Sequence, residues 1–157
     1  MTNNESRTLK NLEAAFAGEA MANRKYLYFA KQCRAIGADD IAVVFEKTAE
    51  QETAHAFGHL ELLFPPSTLT VEKMLQLAID GETYEYTEMY PEFRNTALEE
   101  RNAAAVSEMV EQIEESREHA QMFAKVLATA EKRFVALVKV EQRHAQHYQD
   151  ALDAQKL

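Results

Sequence analysis

Cysteine occurs once, at Cys33, so one chain can form no internal disulfide and no thiolate cluster for a metal. Tryptophan is absent, and four glycines and three prolines are all that interrupt 157 residues. So few breakers, with abundant Ala, Glu, Gln, Leu and Met, argue for long helices. Basic side chains are outnumbered, 17 Lys and Arg against 26 Asp and Glu, for a net charge of −9. That balance argues against nucleic acid as a partner. No apolar run approaches the ~20 residues a membrane-spanning helix requires, so no membrane partner is expected. The start, Met1-Thr-Asn-Asn-Glu5, is polar and shows no secretory pattern. With a single cysteine, a reducing, cytoplasmic location is expected. The length suits one all-α domain spanning residues 1–157.

The apolar residues recur in steps of three and four, as one face of a helix requires. A first helix is predicted from about Ser6 to Ile36, stopped at Gly37, with the stripe Phe16, Glu19, Asn23, Tyr26, Ala30. A second runs from about Ile41 to Phe64, with Asp39 or Asp40 as its cap and Pro65-Pro66 as its end. Its stripe is Ile41, Phe45, Thr48, Glu52, His55, His59, Leu62. A third opens near Thr70 along Val71, Leu75, Ala78, Glu82, Glu85 and Met89, and Pro91 is expected to kink or break it. Beyond Pro91 there is neither Gly nor Pro. Arg101-Asn102 is the best turn there, since Asn tolerates left-handed backbone angles. Two further helices are predicted, about 103–127 and 133–154, with a turn near Ala130.

Acids and imidazoles stand on these stripes where leucines belong. An ionised carboxylate facing a core costs several kcal/mol unless it is paired or bound to metal. No matching cations share the stripes, so the pattern points to bound metal, most simply two ions. Glu52-Thr-Ala-His55 and Glu141-Gln-Arg-His144 each put a carboxylate and an imidazole one turn apart on a single face. Glu19 and Glu82 supply single glutamates on two other helices. Two single glutamates and two Glu-x-x-His pairs are the ligand set of ferritin-like carboxylate bundles. Carboxylate and imidazole suit iron, and manganese or a mixed pair shares these ligands. Glu115 and His119, spaced by four, compete for the fourth-helix position and would need a π-bulge to turn inward together. The stripe Val106, Met109, Ile113, Ser116, Ala120, Phe123, Leu127 passes them by, which favours Glu141 and His144 and leaves His119 a neighbour or a ligand. The two halves also echo each other: Gly18-Glu19 leads to Glu52 and His55, and Gly81-Glu82 leads to a later Glu and His.

Four stretches resemble the rubrerythrin family. They are Ala15-Phe-Ala-Gly-Glu-Ala-Met-Ala-Asn-Arg-Lys-Tyr-Leu-Tyr-Phe29, Glu52-Thr-Ala-His-Ala-Phe-Gly-His-Leu60, Gly81-Glu-Thr-Tyr-Glu-Tyr-Thr-Glu-Met-Tyr-Pro-Glu-Phe93 and Phe134-Val-Ala-Leu-Val-Lys-Val-Glu-Gln-Arg-His-Ala145. The resemblance implies a ferritin-like four-helix bundle; the chain departs from it between Glu82 and Glu141, about a helix longer than the family's usual connection, so an extra or extended helix is expected between the third and fourth core helices. The resemblance implies two iron ions and a peroxidase that reduces hydrogen peroxide to water in oxidative-stress defence. Ferroxidase or iron-binding activity, or a di-metal oxidase, is the alternative. Glu52 and Glu141 would bridge, Glu19 and Glu82 would be terminal ligands, and His144 would bind one iron. Glu85 and His55 would exchange as ligands with redox state, and Tyr26 and Tyr90 would hydrogen-bond near the ligands. The chain resembles short forms without a Cys-rich rubredoxin domain, so an external donor, rubredoxin-like or a flavoprotein reductase, is expected, as is a homodimer.

Overall fold

The computed structural model describes residues 6–154, all of whose regular structure is helical. The residues Met1-Thr-Asn-Asn-Glu5, read above for a leader, lie outside the described part. The chain divides into two compact units, Met1–Leu69 and Thr70–Leu157. Each is a helical hairpin and is described by itself. No described helix is long and apolar enough to cross a membrane.

The first hairpin pairs α1 (Arg7–Ala35) with α2 (Asp39–Leu63). Its spine is built of alanines: Ala30 on α1, and Ala42, Ala49 and Ala56 at seven-residue intervals on α2. Side chains this small let the two backbones approach closely, so the pair is held by dense contact rather than bulk. Asn23 adds a polar tie. Its Nδ2 donates to the Ala49 carbonyl at 2.6 Å and to Thr53 Oγ1 at 2.9 Å. The turn is closed by Gly37 at φ 79°, with Ala38 N–H donating to the Cys33 carbonyl at 2.9 Å, the six-to-one bond of a left-handed helix stop. Neither Asp39 nor Asp40 caps α2 through its side chain. Both lie within its first turn, where negative charge complements the helix dipole.

After a short 3-10 turn at Pro66–Thr68, the second hairpin opens with α3 (Val71–Tyr84). Thr70 caps it by accepting the Lys73 N–H at 3.2 Å. The helix then widens into a π turn at Glu85–Met89 and resumes as α4 (Tyr90–Glu99), with Pro91 in its first turn. The α-helical ladder is thus interrupted just before Pro91, which stands in the first turn of α4, where a missing N–H is best tolerated. The next stop falls on Arg101, at φ 58°, rather than on Asn102. Asn102 N–H instead donates to the Ala97 carbonyl at 2.9 Å, and its Oδ1 accepts from Ala105 N–H at 3.1 Å to start the last helix.

That helix, α5, runs unbroken from Ala103 to Ala154. The expected turn near Ala130 is not there, and the two expected final helices are one. Nothing between Thr129 and Arg133 resists helix, since alanine, glutamate and lysine are all strong formers. Ser116 and Ala120 are its buried residues.

Candidate metal centre

Glu19 on α1 and Glu52 and His55 on α2 come together in the first hairpin. One ligand atom from each lies within 4.8 Å of the other two. His55 Nδ1 is 3.0 Å from Glu52 Oε2 and 4.0 Å from Glu19 Oε2. The sequence dictates this meeting. Glu52 and His55 share a face of α2 by their spacing of three, and the alanine spine and the Asn23 tie draw α1 close enough to add Glu19. The Glu52 side chain is only 16% exposed, yet its ion partner is an imidazole and not a lysine or arginine. Two carboxylates and an imidazole converging without a fixed cation suit a divalent metal.

The second hairpin carries a matching group. Glu82 on α3 and His119 on α5 stand 3.4 Å apart, Oε2 to Nδ1. Glu85, the first residue of the π turn, accepts a hydrogen bond from Ser116 Oγ at 3.0 Å. Tyr90, one residue past the π turn, has its phenol pKa pushed up, chiefly by burial and further by the negative charges of Glu85, Glu108 and Glu82. The phenol therefore stays protonated as a hydrogen-bond donor within that acidic field. Tyr26 packs against Phe45 of the first hairpin at 5.9 Å between ring centroids.

Glu141 and His144 do not join Glu82. Because α5 continues straight through Ala130, His144 lies 25 residues beyond His119, about 38 Å along the helix at ~1.5 Å per residue. The pair is exposed, 75% and 61%, with its members 3.9 Å apart. His119, the competing residue, is the imidazole that reaches Glu82. Glu115 is exposed, with Gln112 at 3.5 Å as its hydrogen-bond partner. The buried serine on that face had no place in the sequence reading, although Ser116 stood on the apolar stripe.

The rubrerythrin family profile matches residues 10–127, three-quarters of the chain. The chain belongs to the rubrerythrin family. The matched segment contains Glu19, Glu52, His55, Glu82, Glu85 and His119, and it ends before Glu141 and His144. Among relatives, rubrerythrin of Porphyromonas gingivalis is 37% identical over 139 residues, covering 80% of this chain and 68% of that protein. Rubrerythrin of Nitratidesulfovibrio vulgaris is 41% identical over 106 residues, covering 60% and 56%. Nigerythrin of the same organism is 39% identical over 111 residues, covering 63% and 55%. The chain thus spans little more than half the length of the two Nitratidesulfovibrio proteins. A solved structure of fully reduced, all-ferrous nigerythrin is similar at a TM-score of 0.41 and 32% identity, covering 83% of this chain and 70% of that one. Rubrerythrins are di-iron oxidative-stress proteins with a ferritin-like helical fold.

Proposed function

We propose that this chain is a di-iron peroxidase that reduces hydrogen peroxide to water with electrons from an external donor. The observation that carries this reading is the convergence of Glu19, Glu52 and His55 within 4.8 Å, matched in the second hairpin by Glu82, Glu85 and His119. We assign these six residues as the ligands of two irons. His119 takes the part expected of His144, and no carboxylate of α5 takes the bridging part expected of Glu141.

Iron held by these residues would supply the two electrons that O–O cleavage requires. The protein's own contribution is electrostatic and protonic. Two carboxylates in each hairpin, Glu19 with Glu52 and Glu82 with Glu85, would balance the charge of one divalent cation there. Tyr90 holds a proton beside Glu82 and Glu85, as a group that orients a carboxylate or donates to an oxygen close by. Tyr26 is assigned the matching post in the first hairpin. A homodimer is supported by the thin core of each hairpin: among the described residues no large side chain is fully buried. The donor, rubredoxin-like or a flavoprotein reductase, and a cytoplasmic setting belong to the same proposal.

The deciding experiment loads the protein with ferrous iron under anaerobic conditions and mixes it with peroxide or with dioxygen in a stopped-flow instrument. Peroxide should oxidise the site faster, and Glu52→Ala should abolish both iron retention and the reaction. Faster oxidation by dioxygen would replace the peroxidase with an oxidase or ferroxidase. Full iron content in the Glu52→Ala protein would overturn the ligand assignment.

A further inference from the structure

The two hairpins follow one plan, with a shift. Gly18-Glu19 matches Gly81-Glu82, sixty-three residues on. Past the π turn the interval becomes sixty-four: Tyr26 matches Tyr90, Phe29 matches Phe93, Gly37 matches Arg101, His55 matches His119 and the buried Ala56 matches the buried Ala120. The two left-handed residues, Gly37 and Arg101, and the two closing bonds, Ala38 to Cys33 and Asn102 to Ala97, fix this register in three dimensions. The π turn at Glu85–Met89 absorbs the one extra residue.

In this register the partner of Glu52 is Ser116, not Glu115. Ser116 is 3% exposed, while Glu115 beside it is exposed and turned toward Gln112. The second hairpin therefore lacks a carboxylate where the first has one. It has a different carboxylate instead. Glu85 opens the π turn, and the matching stretch of α1, Met21-Ala22, offers no acid. Ser116 Oγ donates to Glu85 Oε2 at 3.0 Å.

We infer that Ser116 is a positioning residue: with a short side chain at the register position that matches Glu52, and by donating to Glu85, it seats the π-turn carboxylate as the second hairpin's further acid in place of a glutamate on α5. This rests on the assignment of Glu85 and His119 as metal ligands above. Glu85 is then a standing ligand rather than the mobile partner that the family resemblance implied. A partly buried carboxylate pinned by a hydroxyl keeps one oxygen aimed while the other is free to bind.

The test is an anaerobic cobalt(II) titration of the full chain followed by visible absorbance, with circular dichroism of the metal-free proteins as a control for folding. The unaltered protein should take up two ions per chain. Ser116→Ala should retain the first ion, bind the second at least tenfold more weakly and change its absorption bands, with helicity unchanged. Ser116→Thr, which keeps the hydroxyl, should restore both. Should Ser116→Ala misfold, the decision passes to Ser116→Thr and to Glu85→Gln, which keeps an acceptor for the serine but weakens metal binding. Second-ion affinity and spectrum unaltered in Ser116→Ala, or second-ion binding intact in Glu85→Gln, would overturn the inference while the ligand role of the first hairpin stands. Failure of the unaltered protein to bind a cobalt pair would overturn the parent assignment and this inference with it.

Discussion

Gly37 and Arg101 hold the same post in the two hairpins, each in the left-handed region, at φ 79° and 58°. Glycine enters that region without a steric penalty, whereas a residue with a Cβ is strained there by about 1–2 kcal/mol. Arg101→Gly should therefore stabilise the protein by roughly 0.5–1 kcal/mol, after the added freedom of the unfolded chain is set against the relieved strain. Gly37→Ala should destabilise it by about 1 kcal/mol. Urea unfolding of the two variants should move the midpoint in opposite directions.

Asn23 should matter more than its size suggests. Its amide satisfies both the Ala49 carbonyl and the Thr53 hydroxyl, one turn from Glu19 and Glu52. Asn23→Ala removes both bonds from a partly buried position and should cost about 1–3 kcal/mol. It should also loosen the approach of α1 to α2, so ferrous iron should bind more weakly in the same variant. Thermal denaturation and an iron titration would check the two effects separately.

The alanine spine sets a size limit. Ala49 is 1% exposed and lies against α1. Ala49→Leu must force the helices apart or drive a side chain off its rotamer, at a cost of about 1–3 kcal/mol. Ala49→Gly should instead cost about 1 kcal/mol through helix propensity alone. Chemical denaturation of the pair separates crowding from propensity.

Tyr90 yields a pH dependence. Burial, with Glu85, Glu108 and Glu82, raises its folded-state pKa above the usual phenol value of ~10. The folded protein then holds the proton more tightly than the unfolded chain. The associated stability is fully present below about pH 10 and is lost as pH rises through the folded pKa. Tyr90→Phe should remove this dependence, so wild type should lose stability relative to the variant only in strongly alkaline solution. Ultraviolet titration of the metal-free protein should show one phenol ionising later in wild type and absent from Tyr90→Phe.

Local chemistry made much of this fold legible. The stops at Gly37 and Pro65, the opening at Thr70 and the pairing of Glu52 with His55 follow from residues acting within a turn or two of themselves, and the stripe that carries Glu19 and Asn23 marks the face of α1 that meets them. The second hairpin resisted for two reasons. The π turn carries no composition signal, and its extra residue breaks the period that would have aligned His119 with His55. The absence of a turn near Ala130 was equally silent, because strong helix formers permit a continuous helix without marking one. Glu141 and His144 have the spacing of a ligand pair, but spacing fixes only a shared face, and on one continuous α5 it leaves them far from His119. Ser116 was visible on the stripe, yet a small polar residue there reads as packing until its hydroxyl is seen to meet Glu85.

The widened turn at Glu85–Met89 carries a warning for anyone transferring labels between homologous halves. A gapless superposition of residues 10–69 on the second hairpin pairs Glu52 with Glu115, an acid that faces solvent. One unit of slack, spent inside a helix where alignments seldom open a gap, changes which side chain is credited with the chemistry.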